Sequence, residues 1–571
     1  MPVIEFFKRL LTVDDSTMQE TFSLGDRPAQ PTPGATPEPG RKRRRRRRAH
    51  GRPAEGEPRA GEPLATSLAA NRRRLETVFN IPPNADVVIR PFDIGTRPPL
   101  KAMAVFMEGL AKRDVINDAV LTSLMQFAHL DPMPPDRTRL MEDIALRWLP
   151  GNEVRVLGEL PAVVKEIVLG ATAVLVEGSD RALIVETKGW DYRSVEEPQS
   201  EMLVRGPHEG FVENFRTNTG LIRKILRTER LVTEMTTVGR IGRSLLAIMY
   251  VDGLANPKLI EEVRRRIQAI EVDYVAESGI LEQLIEDYPL AFMPSVLATQ
   301  RPDRVAAFLS EGHVAILLDN SPFALVVPTT FFTLLHSPED HYLRWPYGAF
   351  MRVIRVGAFF IAILLPALYV AVSNYHQEMI PTDLMLSMAG ARELVPFPTV
   401  VEVLLMEGAF ELIREAGLRV PTVIGPTIGI VGALILGQAA VQAGIISPLL
   451  VIVVALTALG SFGIPDYGLQ FGVRLSRFLF ILAGAVLGFL GISAGLVLLA
   501  LHLTSLKSFG VPVASPRAPY RRSQDVILRG WVYRDEKRPE HLRTLESTRQ
   551  SELTRPWWPH ARVHWRRKGR R

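Results

Sequence analysis

Two hydrophobic rhythms divide this chain. Up to about residue 340, short apolar runs alternate with polar turns and with stretches of helical i, i+3, i+4 spacing, the pattern of a water-soluble α/β protein. From Val353 to Leu506 the apolar runs lengthen and charges become sparse. About 20 apolar residues cross the roughly 30 Å hydrocarbon core of a bilayer as a helix. The pattern therefore predicts an α/β soluble N-terminal region followed by an all-α polytopic membrane domain.

The soluble region repeats itself. AVFMEGLAKRDVI (104–116) returns as IMYVDGLANPKLI (248–260), and GATAVLVEGSDRALIV (170–185) returns as GHVAILLDNSPFALVV (312–327). Order and spacing are both kept, so two related subdomains are expected, at 70–205 and 206–340. Each copy opens with an apolar β run closed by an acidic residue and Gly; in the second copy a helix over 257–270 follows, with Leu259, Ile260, Val263 and Ile267 at helical spacing. Each copy ends in two apolar runs around a tight turn, Gly178-Ser179-Asp180 or Asn320-Ser321-Pro322, which predicts a hairpin. The join, with Arg205, Gly206, Pro207 and Gly210, reads as a linker loop between subdomains.

Residues 341–510 are expected to hold about four spans. Residues 353–374 form the first, and the flanking Arg344, Arg352 and Arg355 place its start on the cytoplasmic side. Pro366 should kink it, which neighbours allow by satisfying the freed carbonyl. Residues 423–441 and 445–464 follow. The charge-free run 478–506 would reach about 43 Å as one helix, so it must tilt, protrude, or break near Gly488, Gly491 and Gly495. The basic residues after it belong on the cytoplasmic side, so the number of crossings should be even, four or six. Gly425, Gly429, Gly432, Gly437 and Gly484, Gly488, Gly491, Gly495 punctuate these runs, and small residues let helices approach closely in lipid. Helix packing within the chain and subunit contacts both explain them.

Between the first two spans lies VVEVLLMEGAFELIREAGLR (400–419), where Glu407, Glu411 and Glu415 recur at i, i+4 and i+8. Ionisable groups at membrane depth face a partner or water. Either this is an interfacial helix with Glu411–Arg414 and Glu415–Arg419 pairs, or it lines a water-filled vestibule that attracts cations. Glu402 joins the candidate lining, with Gln438, Gln442, Asp466 and Arg474 as weaker members near span ends.

The 571 residues carry a net charge of +7, drawn largely from the two ends. Mean hydropathy is +0.10 although 23% of residues are charged, so polar and apolar residues are segregated. Residues 1–69 form a Pro/Arg-rich arm with the basic run Arg41–Arg48, a composition that predicts disorder; residues 511–571 form an Arg/Trp-rich cytoplasmic tail ending in Pro556-Trp557-Trp558-Pro559 and Trp565. Basic ends suit an anionic inner leaflet ahead of nucleic acid. Without cysteine there is no disulfide, thiolate nucleophile or Cys-ligated zinc. The short apolar start does not read as a signal peptide, which keeps the soluble region in the cytoplasm. P-loop, dinucleotide, zinc-protease and serine-hydrolase motifs are missing, so neither an enzyme nor a cofactor is expected. His336 and His341 read as a juxtamembrane turn; Asp252 and Asp319 are equivalent residues of the duplication.

Several long motifs carry a resemblance over about 75–510: the segment from Glu177 to Lys224, LIEDYPLAFMP, RPDRVAAFLSEGHVAILLDNSPFALVVPTTFF, SPEDHYLRW, LLPALYVAVSNYHQEMIPTDL, GIVGALILGQAAVQAGIISPLL and SLKSFGVP. In them the chain resembles the A subunit of GerA-type spore germination receptors, a family that includes a late-sporulation relative. The resemblance implies an oligomerising, ligand-gated cation (potassium) channel subunit, a pentamer, in the spore inner membrane. It implies as partners a transporter-like B subunit that holds the germinant and a lipoprotein C subunit. The alternatives are the related late-sporulation spore membrane protein that enhances ion release, a substrate carrier and a non-conducting scaffold.

Overall fold

The computed structural model describes Leu24 and residues 61–550, except 97, 128–139, 151–152, 190–196, 199, 394, 420–436, 521–524 and 533–535. The Arg41–Arg48 run, Gly425, Gly429, Gly432 and the 556–565 Trp cluster lie outside the described residues.

Each copy of the repeat folds into a five-stranded antiparallel sheet. The first holds β1 (Val87–Ile94), β2 (Leu100–Met107), β3 (Val154–Leu157), β4 (Thr172–Val176) and β5 (Ala182–Val185) in the order β1-β2-β4-β5-β3. The second holds β6 (Leu231–Val238), β7 (Ser244–Val251), β8 (Leu297–Thr299), β9 (Val314–Leu318) and β10 (Ala324–Val327) in the order β6-β7-β9-β10-β8. The two orders are the same, and the predicted hairpins are β4–β5 and β9–β10.

Alternate residues of a strand point to opposite faces, and both central strands use this to feed two cores. In β4, Val174 and Val176 enter one core while Ala173 and Leu175 enter the other. In β9, Val314, Ile316 and Leu318 face a core of the second unit. Ala315 and Leu317 instead join a core that continues into the helix bundle through Phe359, Ala362 and Ile363. The second sheet is thus fused to the bundle by shared apolar packing.

Helices α1 (Leu68–Val78), α2 (Leu160–Val168), α3 (Phe215–Ile225), α4 (Pro257–Gln268), α5 (Ser278–Ile285) and α6 (Pro302–Glu311) surround the sheets. The predicted amphipathic helix is α4: the Asn256 side chain caps it, Pro257 opens it, and Leu259, Ile260, Val263 and Ile267 are buried. In the first copy its place is taken by a π-helical stretch, Ile116–Phe127.

Three boundaries differ from expectation. The packed chain starts near Gly61 rather than residue 70: Leu64 is buried and its N–H donates to the Gly158 carbonyl (2.9 Å). The segment read as an inter-subdomain linker is laid against the second unit, where the Pro207 carbonyl accepts from Arg301 Nη2 (2.6 Å) and the Phe211 N–H donates to Gln300 O (2.8 Å). Gly206 sits at φ +152° with the Tyr342 ring where a side chain would stand. The described residues of 507–550 form a strap laid against the second unit where a tail was expected. Phe509 is buried beneath Arg266, and the Leu545 N–H donates to Leu254 O (3.1 Å).

The bundle comprises α7 (Trp345–Tyr375), α8 (Thr382–Arg392), α9 (Thr399–Arg419), α10 (Pro448–Phe462) and α11 (Tyr467–Ser505). Gly488 breaks α11, with φ 57° and ψ −136°, into limbs over 467–487 and 489–505. The limbs fold back on each other: a Cβ at Gly491 would run into the Ala483 carbonyl, and one at Gly495 would meet the Phe480 ring at 2.9 Å. A Cβ at Gly484 would meet the α7 carbonyl of Ala367 at 2.9 Å. Among the described members of the Gly set, Gly437 is looser, 3.8 Å from Val451. The long run is therefore a helical hairpin, not one overlong span. Both its ends lie at the soluble side, with Gly472 against Phe292 and His502 packed on the Phe292 ring. Its tip meets Tyr375 and His376 at the far end of α7.

Candidate functional site

The polar chemistry of the bundle centres on a proline. Pro366 has no N–H, so the carbonyl four residues earlier on α7 loses its helical donor. That carbonyl, Ala362 O, accepts instead from Arg477 Nε of α11 (2.8 Å). The same guanidinium donates through Nη1 to Glu407 Oε2 on α9 (2.5 Å). Arg477 and Glu407 are both fully buried, so one side chain ties three helices together.

One turn along, Arg474 Nη1 donates to Glu411 Oε2 (2.8 Å) and stacks over Phe471. Arg414, three residues after Glu411, lies 3.8 Å from its Oε1, donates to Ser461 Oγ (3.0 Å), and sits between the Phe410 and Phe462 rings. Glu402, nearer the end of the bundle away from the soluble units, accepts from the Ser447 N–H that starts α10 (3.1 Å) and is 3.7 Å from Arg392 Nε. The result is a ladder of acids on α9 matched by cations on α8, α9 and α11.

Of the sequence candidates, Glu402, Glu407 and Glu411 belong to this ladder. Glu415 is exposed at the end of α9 nearer the soluble units, Gln438 and Gln442 are exposed in the segment that leads into Ser447, and Asp466 caps α11 at the soluble side by accepting from the Leu469 N–H (2.8 Å). The Glu411–Arg414 pair read from the sequence is present; the side chain of Arg419 lies outside the described residues. Sequence reasoning missed Arg477 and Arg392. The signal for Arg477 was Pro366 itself, whose orphaned carbonyl needs a donor from another helix.

A second polar cluster joins bundle to soluble domain. Asp340 is buried and accepts from Arg352 Nε (2.9 Å) and Arg355 Nη1 (2.6 Å), two of the three arginines that flank the first span. Arg352 also grips Asp525 of the strap, and Trp345 Nε1 donates to Arg529 O (2.7 Å). Burial alone would push the Asp525 carboxyl up; the hydrogen bond from His341 and the Arg352 guanidinium outweigh it and hold it well below the usual range. His336 is pushed down to about 4 by burial and by Arg352, so it stays neutral beside the Val526 carbonyl (2.5 Å). Among the described residues no group of three or more His, Asp and Glu is arranged to hold a metal ion.

Comparison with known proteins identifies the family. The model of the Bacillus/Clostridium GerA spore germination protein matches residues 73–541, so the match runs past the motif-based limit of 510 and takes in most of the strap. Spore germination protein KA of Bacillus subtilis (strain 168) is 39% identical over 86% of this chain and 90% of its own length. An uncharacterized membrane protein of the same organism, YfkQ, is 38% identical over 80% of this chain and 88% of its own. The crystal structure of the N-terminal domain of the A subunit of the Bacillus megaterium spore germinant receptor GerK3 aligns with 47% of this chain and 98% of its own, at 30% identity and a TM-score of 0.37. The chain belongs to the GerA spore germination protein family.

Proposed function

We propose that this GerA-family chain is the A subunit of a nutrient germinant receptor. It assembles with copies of itself, as a pentamer, and with a transporter-like B subunit and a lipoprotein C subunit in the spore inner membrane. There it forms a cation channel, selective for potassium, that opens when germinant binds. The soluble units face the cytoplasm. Trp345 and Leu506 both abut that side, which supports an even number of crossings, four or six. Helix α7 is long and apolar enough to cross a bilayer.

The observation that carries this reading is the buried acid–arginine ladder at membrane depth, in a bundle sharing one core with the second soluble unit. Ionisable groups there are costly and mark ion paths or moving parts. Fusion of the cores gives a domain rearrangement a direct route to the helices, so gating is a population shift between two packings. One observation favours a non-conducting scaffold: Glu407 and Glu411 are matched by arginines rather than facing open water.

Reconstitution in liposomes separates the readings. Conductance indicates a channel, saturable substrate exchange a carrier, and silence a scaffold. Replacing Glu407, Glu411 and Glu415 by Gln lowers cation flux while leaving assembly intact; unchanged flux removes these carboxylates from the path.

A further inference from the structure

Near the outer end of the bundle, the Glu402 carboxylate is completely buried, and its two oxygens differ. Oε2 accepts from the Ser447 N–H (3.1 Å); Oε1 has no hydrogen-bond partner among the described residues. Its nearest cation, Arg392 Nε, stands 3.7 Å away, well beyond the roughly 2.7–2.9 Å of a charge-assisted hydrogen bond. Neutral oxygens stand on the neighbouring helix α7 and around the two segments that Glu402 and Arg392 join. Tyr369 Oη lies 3.2 Å from Ser447 Oγ. Ser373 Oγ, one turn further along α7 on the same face, is buried and has no hydrogen-bond partner among the described residues. Thr399 Oγ1 donates to Asn374 Oδ1 (3.0 Å).

We propose that Glu402, Ser373, Tyr369, Ser447 and Thr399 form an oxygen-lined site for a monovalent inorganic cation, and that Arg392 is a tethered cation occupying it in this conformation. Hard oxygen donors select alkali and alkaline-earth ions over transition metals. A single carboxylate with otherwise neutral oxygens neutralises one positive charge, whereas magnesium and calcium sites recruit more charge or more water.

Arg392 is placed to act as a removable plug. It ends α8, a helix without a single buried residue. Its guanidinium reaches Thr399 as well as Glu402, and it borders an open cavity of about 520 Å³ with Leu386 and Phe397 on its wall. It therefore has room to withdraw. Withdrawal would leave a buried carboxylate unpaired, which is strongly unfavourable unless a free cation replaces the guanidinium. Arg392 and the inorganic ion thus compete for one carboxylate, and any partner that pulls α8 outward raises cation affinity. The use made of the site rests on the channel reading above; occupancy does not, and is measured separately.

The test uses the purified full chain in detergent, unfolded by heat in KCl, NaCl or N-methylglucamine chloride at equal ionic strength. R392Q gains a saturable stabilisation in KCl or NaCl over N-methylglucamine chloride. The unmodified chain requires about tenfold more salt for the same shift, because the site is available in only a fraction of molecules. E402Q abolishes the cation dependence in both backgrounds. S373A and Y369F, added to R392Q, weaken the apparent affinity while keeping the midpoint in N-methylglucamine chloride, which separates ligand loss from misfolding. Equal midpoints of R392Q in all three salts, or a cation effect that survives E402Q, overturns the proposal. Liposome flux distinguishes the two claims: binding without flux sinks the channel and leaves the site, and flux without binding does the reverse.

Discussion

Two buried arginine–carboxylate clusters in this molecule use the same chemistry to opposite ends. Between the two sheets, Asp86 is fully buried and accepts from Arg223 Nε (2.6 Å) and Arg216 Nη1 (3.4 Å). Arg223 Nη2 donates onward to Asn84 and Thr233, each at 3.0 Å. None of these side-chain atoms is left without a partner. In the bundle ladder, by contrast, Glu402 Oε1, Glu407 Oε1, Glu411 Oε1, Arg414 Nε, Arg474 Nε and Arg477 Nη2 are buried with no hydrogen-bond partner among the described residues. A saturated network defines one geometry; an unsaturated one keeps valence for a second arrangement, a water or an ion. The sheet joint is built to hold still and the ladder to change.

The largest expected effect lies in the joint. D86A leaves Arg223 as an uncompensated buried cation, and breaking such a pair from one side costs about 3–5 kcal/mol. Denaturant unfolding of the full chain, followed by a probe in the soluble units, measures the loss. A cost below about 1 kcal/mol would mean the joint is no more fixed than the ladder, and the contrast collapses.

The ladder should yield less. R477Q removes a donor from both Glu407 and Ala362 O, yet interhelical polar contacts in membranes average only about 0.6 kcal/mol, with a maximum near 1.7. The expected loss is about 1–2 kcal/mol. P366A sharpens this, because the restored N–H at 366 satisfies Ala362 O within α7. In that background R477Q should cost measurably less, with a coupling of about 0.5–1 kcal/mol in the double-mutant cycle. Additive costs would show that the carbonyl orphaned by Pro366 is not what Arg477 serves.

How much of this was legible in the sequence depends on the range of the forces involved. The duplicated sheets were readable because alternation and turn residues are local: Gly178-Ser179-Asp180 and Asn320-Ser321-Pro322 sit at the tips of matching hairpins. The break at Gly488 was legible as one option, since a run that long has to be accommodated somehow, but tilt and fold-back satisfy the same length. Arg477 was opaque. A lone arginine at the start of an apolar run looks like a flank until α7 is placed beside it and the Ala362 carbonyl is seen to need it. The strap was missed for a related reason. Its composition is basic and turn-rich, and what fixes it is contact with distant residues, Phe509 under Arg266 and Asp525 on Arg352. The acidic spacing on α9 is local and so legible, but the partners of Glu407 and Glu411 came from a helix the local pattern could not position.

The smallest effect expected concerns pH and lies where the second soluble unit meets the bundle. On α5, the Glu282 carboxyl is pushed up to about 8, by burial first and then by the charges of Glu286, Asp466 and Glu277. Glu286 is pushed up to about 7 by burial and by Asp287. A carboxyl whose folded value lies above its unfolded one binds its proton more tightly in the folded state. Between the ordinary carboxylate range and pH 8 the folded chain therefore holds more protons, so stability falls as pH rises through that window and levels off above it. E282Q cannot ionise, so it should flatten the decline between pH 5 and 8 and leave its acidic end little changed. Thermal midpoints of both proteins across that range measure the difference. If E282Q keeps the full slope, Glu282 ionises freely at neutral pH, and this interface is as well satisfied as the joint at Asp86 rather than intermediate between joint and ladder.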